Sequence, residues 1–259
     1  MESLDKLIET VAKLRSPDGC PWDKEQTHTT LKRYLIEETY EAIDAIDKND
    51  PKALMEELGD VLLQVLLHSQ IASENKHFTI DDVAGCINNK MVKRHPHVFS
   101  DKSLKTSEEV LINWEKQKKE ERKSGDIFDN IPNSLPALIK ALKVSKKAAR
   151  EGFEWKDEND LWNAFENELK ELKEVTALNN NHRTKEKLEE ELGDLLFMIV
   201  NLARWYKLDP EENLNKGIKK FITRFNRVKE KANKENKIVS DLSSDELSKL
   251  WVSIKEKEK

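Results

Sequence analysis

One acidic motif occurs twice in this chain, and the repeat limits the folds that the sequence can adopt. Residues 31–67 and 161–199 each contain an acidic amphipathic segment, a polar turn and a second segment with the motif Glu-Glu-Leu-Gly-Asp. The acidic pairs recur at offsets of 130 and 134 residues, which places four extra residues in the connecting loop Asn179–His182, where insertions cost little free energy. Each repeat is followed by an apolar segment and a Lys-x₃-Arg pair. A duplicated helical domain is the simplest explanation.

The spacing of the apolar residues predicts helices. In both repeats they recur every three or four residues, and only seven glycines and seven prolines occur in 259 residues. Two such helices joined by a short turn predict an antiparallel pair. His95-Pro96-His97 is expected to end the helix that carries the first basic pair. We predict an all-α protein with tandem domains at residues 1–120 and 137–259, joined by a charged, Gly- and Pro-containing linker at 121–136.

The composition excludes several classes of protein. The formal net charge is -5 and both signs are dense, so we expect no direct binding to nucleic acid. No stretch approaches the roughly 18 apolar residues needed to cross a bilayer. Two cysteines, Cys20 and Cys86, are too few for a disulfide framework and are typical of a reducing compartment. We therefore expect a soluble cytoplasmic protein with no membrane contact.

Four carboxylates in each repeat are predicted to meet between the paired helices. Each helix presents two acids three residues apart, and these project from nearly the same face. The residues are Glu38, Glu41, Glu57 and Asp60 in the first repeat, and Glu168, Glu171, Glu191 and Asp194 in the second. Such a cluster is unfavourable unless a cation or a raised pKa relieves it. An all-oxygen set favours Mg²⁺, with Mn²⁺ as a substitute, and Mg²⁺ in turn favours a nucleotide or other polyphosphate ligand.

A solvated helix face is the alternative explanation of these acids, because surface glutamate is the commonest use of the residue. The recurrence of the whole set beside an apolar stripe favours metal binding instead. Gly59 and Gly193 inside the second helices cost about 1 kcal/mol each relative to alanine, which suggests close approach by another helix or a ligand. Di-iron bundles use Glu-x-x-His, whereas Glu57 and Glu191 are followed three residues later by aspartate, which disfavours that site.

The segment CPWDKEQTH admits two further interpretations. Cys20 and His28 could form a nucleophile and base, although no third member is evident. Cys20, His28, His95 and His97 could bind zinc, although their spacing is not that of a finger. We favour a simpler role, in which this loop packs Trp22 against the helices near the site.

Four segments of the chain closely resemble the MazG family of nucleoside triphosphate pyrophosphohydrolases. They are LRSPDGCPWDKEQTH, LIEETYEAIDAI, EELGDVLLQVLLHSQ and KMVKRHPHVF, and the tandem arrangement resembles the full-length bacterial form over nearly the whole chain. The resemblance implies an all-α fold that dimerises into four-helix-bundle-like assemblies. It also implies a Mg²⁺-dependent enzyme that cleaves diverse ribo- and deoxyribonucleoside triphosphates to a monophosphate and pyrophosphate, with a housekeeping role in the nucleotide pool.

The resemblance also assigns roles to residues. It makes Glu168, Glu171, Glu191 and Asp194 the catalytic metal ligands, with Glu38, Glu41, Glu57 and Asp60 at the matching positions of the first half. It makes Lys187, Glu190, Lys220, Arg224 and Trp251 substrate-binding residues, with Lys90 and Arg94 as counterparts of the Lys-x₃-Arg pair. The alternatives are an exposed basic face for Lys220 and Arg224, and core packing for Trp251, which could otherwise stack on the base.

In this family the second domain is generally the catalytic one, and the sequence leaves that choice open. The first half has Ala53 where the second has Lys187, whereas the second has Asn167 where the first has Glu37. Glu189 and Glu190 could support the metal ligands in place of that missing acid. Two other functions remain open: a helical interaction protein, and a sensor that binds nucleotide without turnover. The preferred base and the phosphorus that water attacks are also open.

Overall fold

The computed structural model describes residues 2–100, 103–120, 126–178 and 184–256, and all regular structure in these ranges is helical. This confirms the predicted all-α fold. The chain divides into two compact units, Met1–Lys123 and Ser124–Lys259. Within the described ranges, no helix is both long enough and apolar enough to span a bilayer. The first residues of the predicted linker, 121–125, lie outside those ranges, and the linker boundaries stay a prediction.

The first unit contains seven of the described helices. They are α1 (Glu2–Leu14), α2 (Pro21–Glu25), α3 (Lys32–Asp47), α4 (Pro51–Glu74), α5 (Ile80–Arg94), α6 (Pro96–Phe99) and α7 (Ser107–Glu120). The contacts that define the unit join α3 to α4, α1 to α4, α4 to α5, and α5 to both α6 and α7. Helix α5 ends at Arg94 and α6 begins at Pro96, as the sequence predicts.

The turn between α3 and α4 is built from three residues. Asn49 has a left-handed backbone, with φ of 54°. The Asp50 carboxylate accepts hydrogen bonds from the backbone amides of Lys52 and Ala53 at 3.0 and 3.1 Å. Pro51 occupies the first position of α4, where its missing N–H leaves no hydrogen bond unmade. Because this turn is so short, α3 and α4 pack side by side in antiparallel directions.

The core of the first unit lies among α1, the start of α3, and α4. Its buried members are Val11, Leu31, Leu66, Leu67 and Ile71. Leu7, Ile8, Tyr34, Leu63 and Ile80 pack against this cluster and are partly buried. The core therefore surrounds the end of the α3–α4 hairpin that lies away from the turn.

The second unit contains five α-helices and one 3₁₀ turn among its described residues. They are α8 (Ala137–Arg150), α9 (Glu158–Ala177), α10 (Lys185–Trp205), α11 (Pro210–Lys234), the 3₁₀ turn Val239–Asp241, and α12 (Ser244–Glu256). Helix α10 packs against α8, α9 and α11, and α11 packs against α8 and α12. Helices α9 and α10 are the counterparts of α3 and α4.

Both helices of the second hairpin begin at a side-chain cap. Asp157 accepts a hydrogen bond from the amide of Asp160 at 3.0 Å, and Thr184 accepts one from the amide of Lys187 at 3.3 Å. Leu161 on α9 is fully buried, like its counterpart Leu31 in the first unit. Residues 179–183 lie outside the described ranges, so the four-residue insertion at Asn179–His182 stays a prediction.

A buried polar network joins α8 to α10. The Ser145 hydroxyl donates to Asn201 at 2.5 Å and accepts a hydrogen bond from Nε of Arg204 at 2.6 Å. Arg204 also forms a two-point ion pair with Glu154, and the guanidinium lies 5.8 Å from the ring centre of Trp155. These charge-assisted bonds fix the end of α10 relative to α8.

The two helical glycines do not mark contacts within the chain. A Cβ atom added at Gly59 or at Gly193 would have no atom within 4 Å among the described residues. Among the described residues, therefore, no other helix approaches closely at either glycine, and approach by a ligand or by a helix of a partner chain stays a prediction. Both glycines lie beside the acidic residues on the open surface of a hairpin.

Candidate metal centre

The first hairpin brings three of its four predicted carboxylates together. Glu38 and Glu41 on α3 and Glu57 on α4 each offer an oxygen atom, and these atoms lie within 4.8 Å of one another. Asp60 is outside this trio, but its charge contributes to the raised pKa of Glu38. The antiparallel packing of α3 and α4 explains the convergence, because each helix presents its Glu-x-x-acid pair toward the other.

The second hairpin assembles a corresponding trio with a different membership. Glu168 on α9 and Glu191 and Asp194 on α10 offer oxygen atoms within 4.8 Å of one another. Glu171 is outside the trio, yet its charge is the largest carboxylate influence on the pKa of both Glu168 and Glu191. Among the described residues, these two trios are the groups of three or more metal-ligand side chains that lie this close together.

In both clusters, burial and the neighbouring carboxylates disfavour the ionised form of the glutamates. Burial raises the pKa of Glu168, and the charges of Glu171, Asp194 and Glu191 raise it further. Burial likewise raises the pKa of Glu191, with Glu171 as the next cause. The pKa values of Glu38 and Glu57 in the first cluster are raised in the same manner. Closely spaced oxygens that repel one another are what a hard divalent cation neutralises, so both donor sets fit Mg²⁺.

A cleft of about 410 Å³ opens beside the second cluster. It is lined by Asn167, Lys170, Glu171, Glu174, Val175 and Glu191. Asn167 therefore lies at the site, where the first half has Glu37. Lys170 and Glu174, whose charged groups are 3.6 Å apart, were not predicted as site residues. Nothing in their spacing distinguishes them from ordinary surface pairs on a helix.

The predicted phosphate-binding residues lie on neighbouring elements. Lys220 and Arg224 are on α11, which packs against α10; Lys220 is exposed and Arg224 is half-buried. Lys187 and Glu190 are exposed on α10, and Lys187 precedes Glu191 by one helical turn. Their contact with substrate stays a prediction.

Trp251 belongs to an aromatic cluster beside the second Lys-x₃-Arg pair. Its ring centre lies 5.4 Å from that of Phe221, with the rings tilted by 49°. Phe221 and Phe225 lie parallel, with their centres 6.1 Å apart. Trp251 is half-buried whereas Phe221 is 56% exposed. The cluster thus combines packing of α12 on α11 with an exposed aromatic surface.

The first half has a matching tryptophan that our sequence reasoning missed. The guanidinium of Arg94 lies 5.2 Å from the ring centre of Trp114 on α7. The sequence contains a pattern that predicts it. Trp114 lies eight residues after the helix-capping residue Thr106, and Trp251 lies eight residues after the capping residue Ser243. Both caps bond reciprocally to a glutamate three residues later. Lys90, also on α5, is exposed.

The alternative zinc set of Cys20, His28, His95 and His97 is not assembled. His28 lies against His68, with 2.8 Å between their Nδ1 atoms, whereas His95 lies against His97 with ring centres 5.6 Å apart. Among the described residues, neither pair belongs to a group of three close metal ligands. The Cys20 loop instead places Trp22 edge-on against Tyr34 of α3, with ring centres 5.8 Å apart.

The two hairpins coincide with two matches to one family model. The model, described as the MazG nucleotide pyrophosphohydrolase domain, matches residues 26–99 and 158–229, which together cover more than half of the chain. This chain belongs to the MazG family. Each MazG segment spans one acidic hairpin and the following helix with its Lys-x₃-Arg pair, so the tandem arrangement is confirmed. Trp114 and Trp251 lie outside both segments.

Named relatives of this MazG chain align over nearly its whole length. A protein of Thermotoga maritima named nucleoside triphosphate pyrophosphohydrolase/pyrophosphatase MazG is 44% identical over 97% of this chain and 95% of its own length. The Escherichia coli K12 nucleoside triphosphate pyrophosphohydrolase is 39% identical over 100% and 99% respectively. The uncharacterized protein YabN of Bacillus subtilis is 48% identical over 96% of this chain, which spans 51% of that relative.

Proposed function

We propose that this MazG protein hydrolyses nucleoside triphosphates to a monophosphate and pyrophosphate, with Mg²⁺ held by the carboxylates of the second hairpin. The observation that carries the proposal is the trio Glu168, Glu191 and Asp194, whose oxygens lie within 4.8 Å of one another beside an open cleft. Family membership and the names of the aligned relatives support the same reaction. In this reaction water is added and the phosphoanhydride bond between the α and β phosphates breaks.

The residues of the second half supply positioning and charge for this reaction. Bound Mg²⁺ would neutralise phosphate charge and orient the triphosphate. Glu168, Glu191 and Asp194 would hold the cation, and Glu171 adds a fourth negative charge in the cleft. Lys220 and Arg224 donate hydrogen bonds to phosphate oxygens from the adjacent helix α11. The side chains therefore fix the triphosphate between an anionic cluster with its cation and a basic helix face.

A broad range of nucleoside and deoxynucleoside triphosphates follows from how the base is held. Trp251 and Phe221 offer aromatic faces, and stacking on such faces tolerates every base because each base has a π-face. We therefore propose a housekeeping role in the nucleotide pool. Both cysteines are free thiols, which supports a reducing, cytoplasmic location.

We also propose that the chain forms a homodimer through its hairpins. Each hairpin carries a row of exposed apolar side chains that a monomer leaves in water. The rows are Ile36, Tyr40, Ile43, Met55, Leu58 and Leu62 in the first, and Leu192, Leu196 and Ile199 in the second. Pairing two identical hairpins as a four-helix bundle covers such faces with self-complementary surfaces. Light scattering after gel filtration should give twice the chain mass of 30.1 kDa.

Pyrophosphate release from a panel of nucleoside triphosphates with Mg²⁺ tests the catalytic proposal. We expect turnover by the full chain and its loss in Glu191→Gln. The matched control is Glu186→Gln, which removes an exposed carboxylate from the first turn of α10. Absence of turnover with every triphosphate, together with no Mg²⁺-dependent thermal shift, would refute the enzyme and favour an interaction protein.

A further inference from the structure

The layer next to the first carboxylate cluster is polar and partly buried. Tyr34 precedes Glu38 by one helical turn on α3, and Gln64 follows Asp60 by one turn on α4. One turn of an antiparallel pair carries both residues about 6 Å along the hairpin, away from its tight turn. The shared core agrees with this register, because Leu31 of α3 clusters with Leu67 of α4. Tyr34 and Gln64 therefore occupy the same layer.

Gln64 is an unusual residue for such a layer. Its side chain is only 5% exposed, and its Oε1 atom is buried without a hydrogen-bond partner in the described part of the chain. A buried amide oxygen left unpaired destabilises a protein, so native structures rarely keep one without a use. An amide can both accept and donate, which suits the edge of a nucleobase.

Aromatic side chains border the same layer. Trp22 is 49% exposed and lies edge-on to Tyr34. The guanidinium of Arg33 lies 4.5 Å from the centre of the Tyr34 ring. A flat, uncharged heterocycle is the kind of ligand that aromatic and guanidinium planes bind by stacking.

Helix α2, which carries Trp22, and the residues just after it are held in place by Arg15. Its guanidinium donates to the backbone oxygens of Asp23 and Gln26, and it forms a two-point ion pair with Glu74 at 2.8 Å for each bond. The Gln26 amide in turn donates to the backbone oxygen of Trp22 at 2.9 Å. Helix α2 and the residues after it are therefore pre-organised, which lowers the entropic cost of binding a ligand there.

Two histidines follow in the next layer. His68 lies one turn beyond Gln64 on α4, and its ring is nearly parallel to that of His28, at 7°. Burial lowers the pKa of His68, and the neighbouring His28 lowers it further. When both rings are neutral, one Nδ1–H donates to the other Nδ1, so the two Nε2 atoms present one acceptor and one donor.

We propose that Trp22, Tyr34, Gln64 and the His28–His68 pair form a nucleobase-binding subsite in the first half of the chain. The phosphates of the same nucleotide would be bound through Mg²⁺, which Glu38, Glu41 and Glu57 would hold. This choice of ligand rests on the proposed function. The second half has Ala164 and Met198 at the positions of Tyr34 and Gln64, and thus no phenol or amide in that layer. The two halves would therefore bind the base differently. The first half would discriminate between bases, whereas the aromatic faces of the second tolerate all of them.

The test is calorimetric binding to the full chain in which Glu191→Gln and Asp194→Asn disable the second cluster. The probes are ATP, GTP, CTP and UTP with Mg²⁺, and inorganic triphosphate as the base-free probe. Gln64→Met, which installs the second half's own residue, should weaken at least one nucleotide about tenfold and leave inorganic triphosphate within about twofold. Met198→Gln is the positional control and should change neither.

Trp22→Leu provides a second variant at a half-exposed position, where folding tolerates the change. It should weaken every nucleotide at least about fivefold and spare inorganic triphosphate, and it decides the matter alone if Gln64→Met does not fold. Equal losses for nucleotides and triphosphate, unchanged binding in both variants, or no binding to the disabled chain would each overturn the subsite. Absence of pyrophosphate release by the unmodified chain would instead refute the proposed function, so the two failures are distinguishable.

Discussion

Replacing Glu168 with glutamine removes one charge from the second carboxylate cluster and keeps the size of the side chain. Its oxygen lies within 4.8 Å of oxygens on Glu191 and Asp194. At that distance each pair of charges repels by about 0.9 kcal/mol in a water-like dielectric. Two pairs, reduced by salt and by the partial exposure of the cluster, give about 1 kcal/mol. Glu168→Gln should therefore stabilise the metal-free protein by that amount and raise its melting temperature by roughly 2–5 °C.

The same substitution should remove the part of the Mg²⁺ response that comes from the second cluster, while the first cluster keeps its own. For the unmodified chain, Mg²⁺ at 100 times its dissociation constant stabilises the folded state by about 2.7 kcal/mol. The assay is thermal unfolding followed by circular dichroism at pH 7.5, with Mg²⁺ or with a chelator. Glu166→Gln, an exposed carboxylate on the same helix, is the control and should match the unmodified chain in both conditions. A metal-free Glu168→Gln protein that melts below the unmodified chain, or that keeps its full Mg²⁺ shift, would refute the reasoning.

Three other consequences can be measured. The pKa values of Glu168 and Glu191 are raised, so just above the ordinary carboxyl pKa the folded protein binds more protons than the unfolded protein. The stability of the metal-free protein should therefore rise as the pH falls through that window. The stabilisation by Mg²⁺ should become smaller over the same window, because protons compete with the cation. Leu161→Ala leaves a cavity at a fully buried position and should lower the free energy of unfolding, measured in urea, by about 2–5 kcal/mol. Arg204→Lys cannot keep the two-point ion pair with Glu154, so it should lower the free energy of unfolding by about 1–3 kcal/mol. The pKa of Glu154, which the Arg204 guanidinium lowers, should rise in a titration of this variant.

The hairpins were predictable because their signals are local and occur twice. Asp50-Pro51 marks a helix start by chemistry that operates within three residues, and the Glu-x-x-acid spacing fixes a helix face. The convergence of Glu168 with Glu191 followed from the antiparallel packing. Which carboxylate stays outside the trio did not follow, since it depends on side-chain rotamers rather than on spacing.

Some features of the structure depend on contacts between segments that are distant in the sequence, and local sequence patterns do not predict such contacts. Gln64 reads as one polar residue in an apolar stripe, yet it is buried beside the carboxylate layer without a partner for Oε1 among the described residues. His28 and His68 are 40 residues apart in the sequence and are in direct contact in the fold. Trp114 was predictable from the sequence, because it follows a Thr cap at the same distance at which Trp251 follows a Ser cap.

Product analysis of two matched variants tests the central claim most directly. Asp194→Asn changes the second carboxylate cluster and Asp60→Asn makes the same change in the first. Each protein is incubated with a nucleoside triphosphate and Mg²⁺, and the products are separated and quantified. We predict monophosphate and pyrophosphate in equal amounts from the unmodified chain, and most of that turnover from Asp60→Asn. Turnover by Asp194→Asn should fall at least about 100-fold. Removing a group that only supports a metal ligand already lowers activity by up to about 100-fold, and Asp194 is itself a proposed ligand. Full turnover by Asp194→Asn, or diphosphate and inorganic phosphate as the products, would contradict the account.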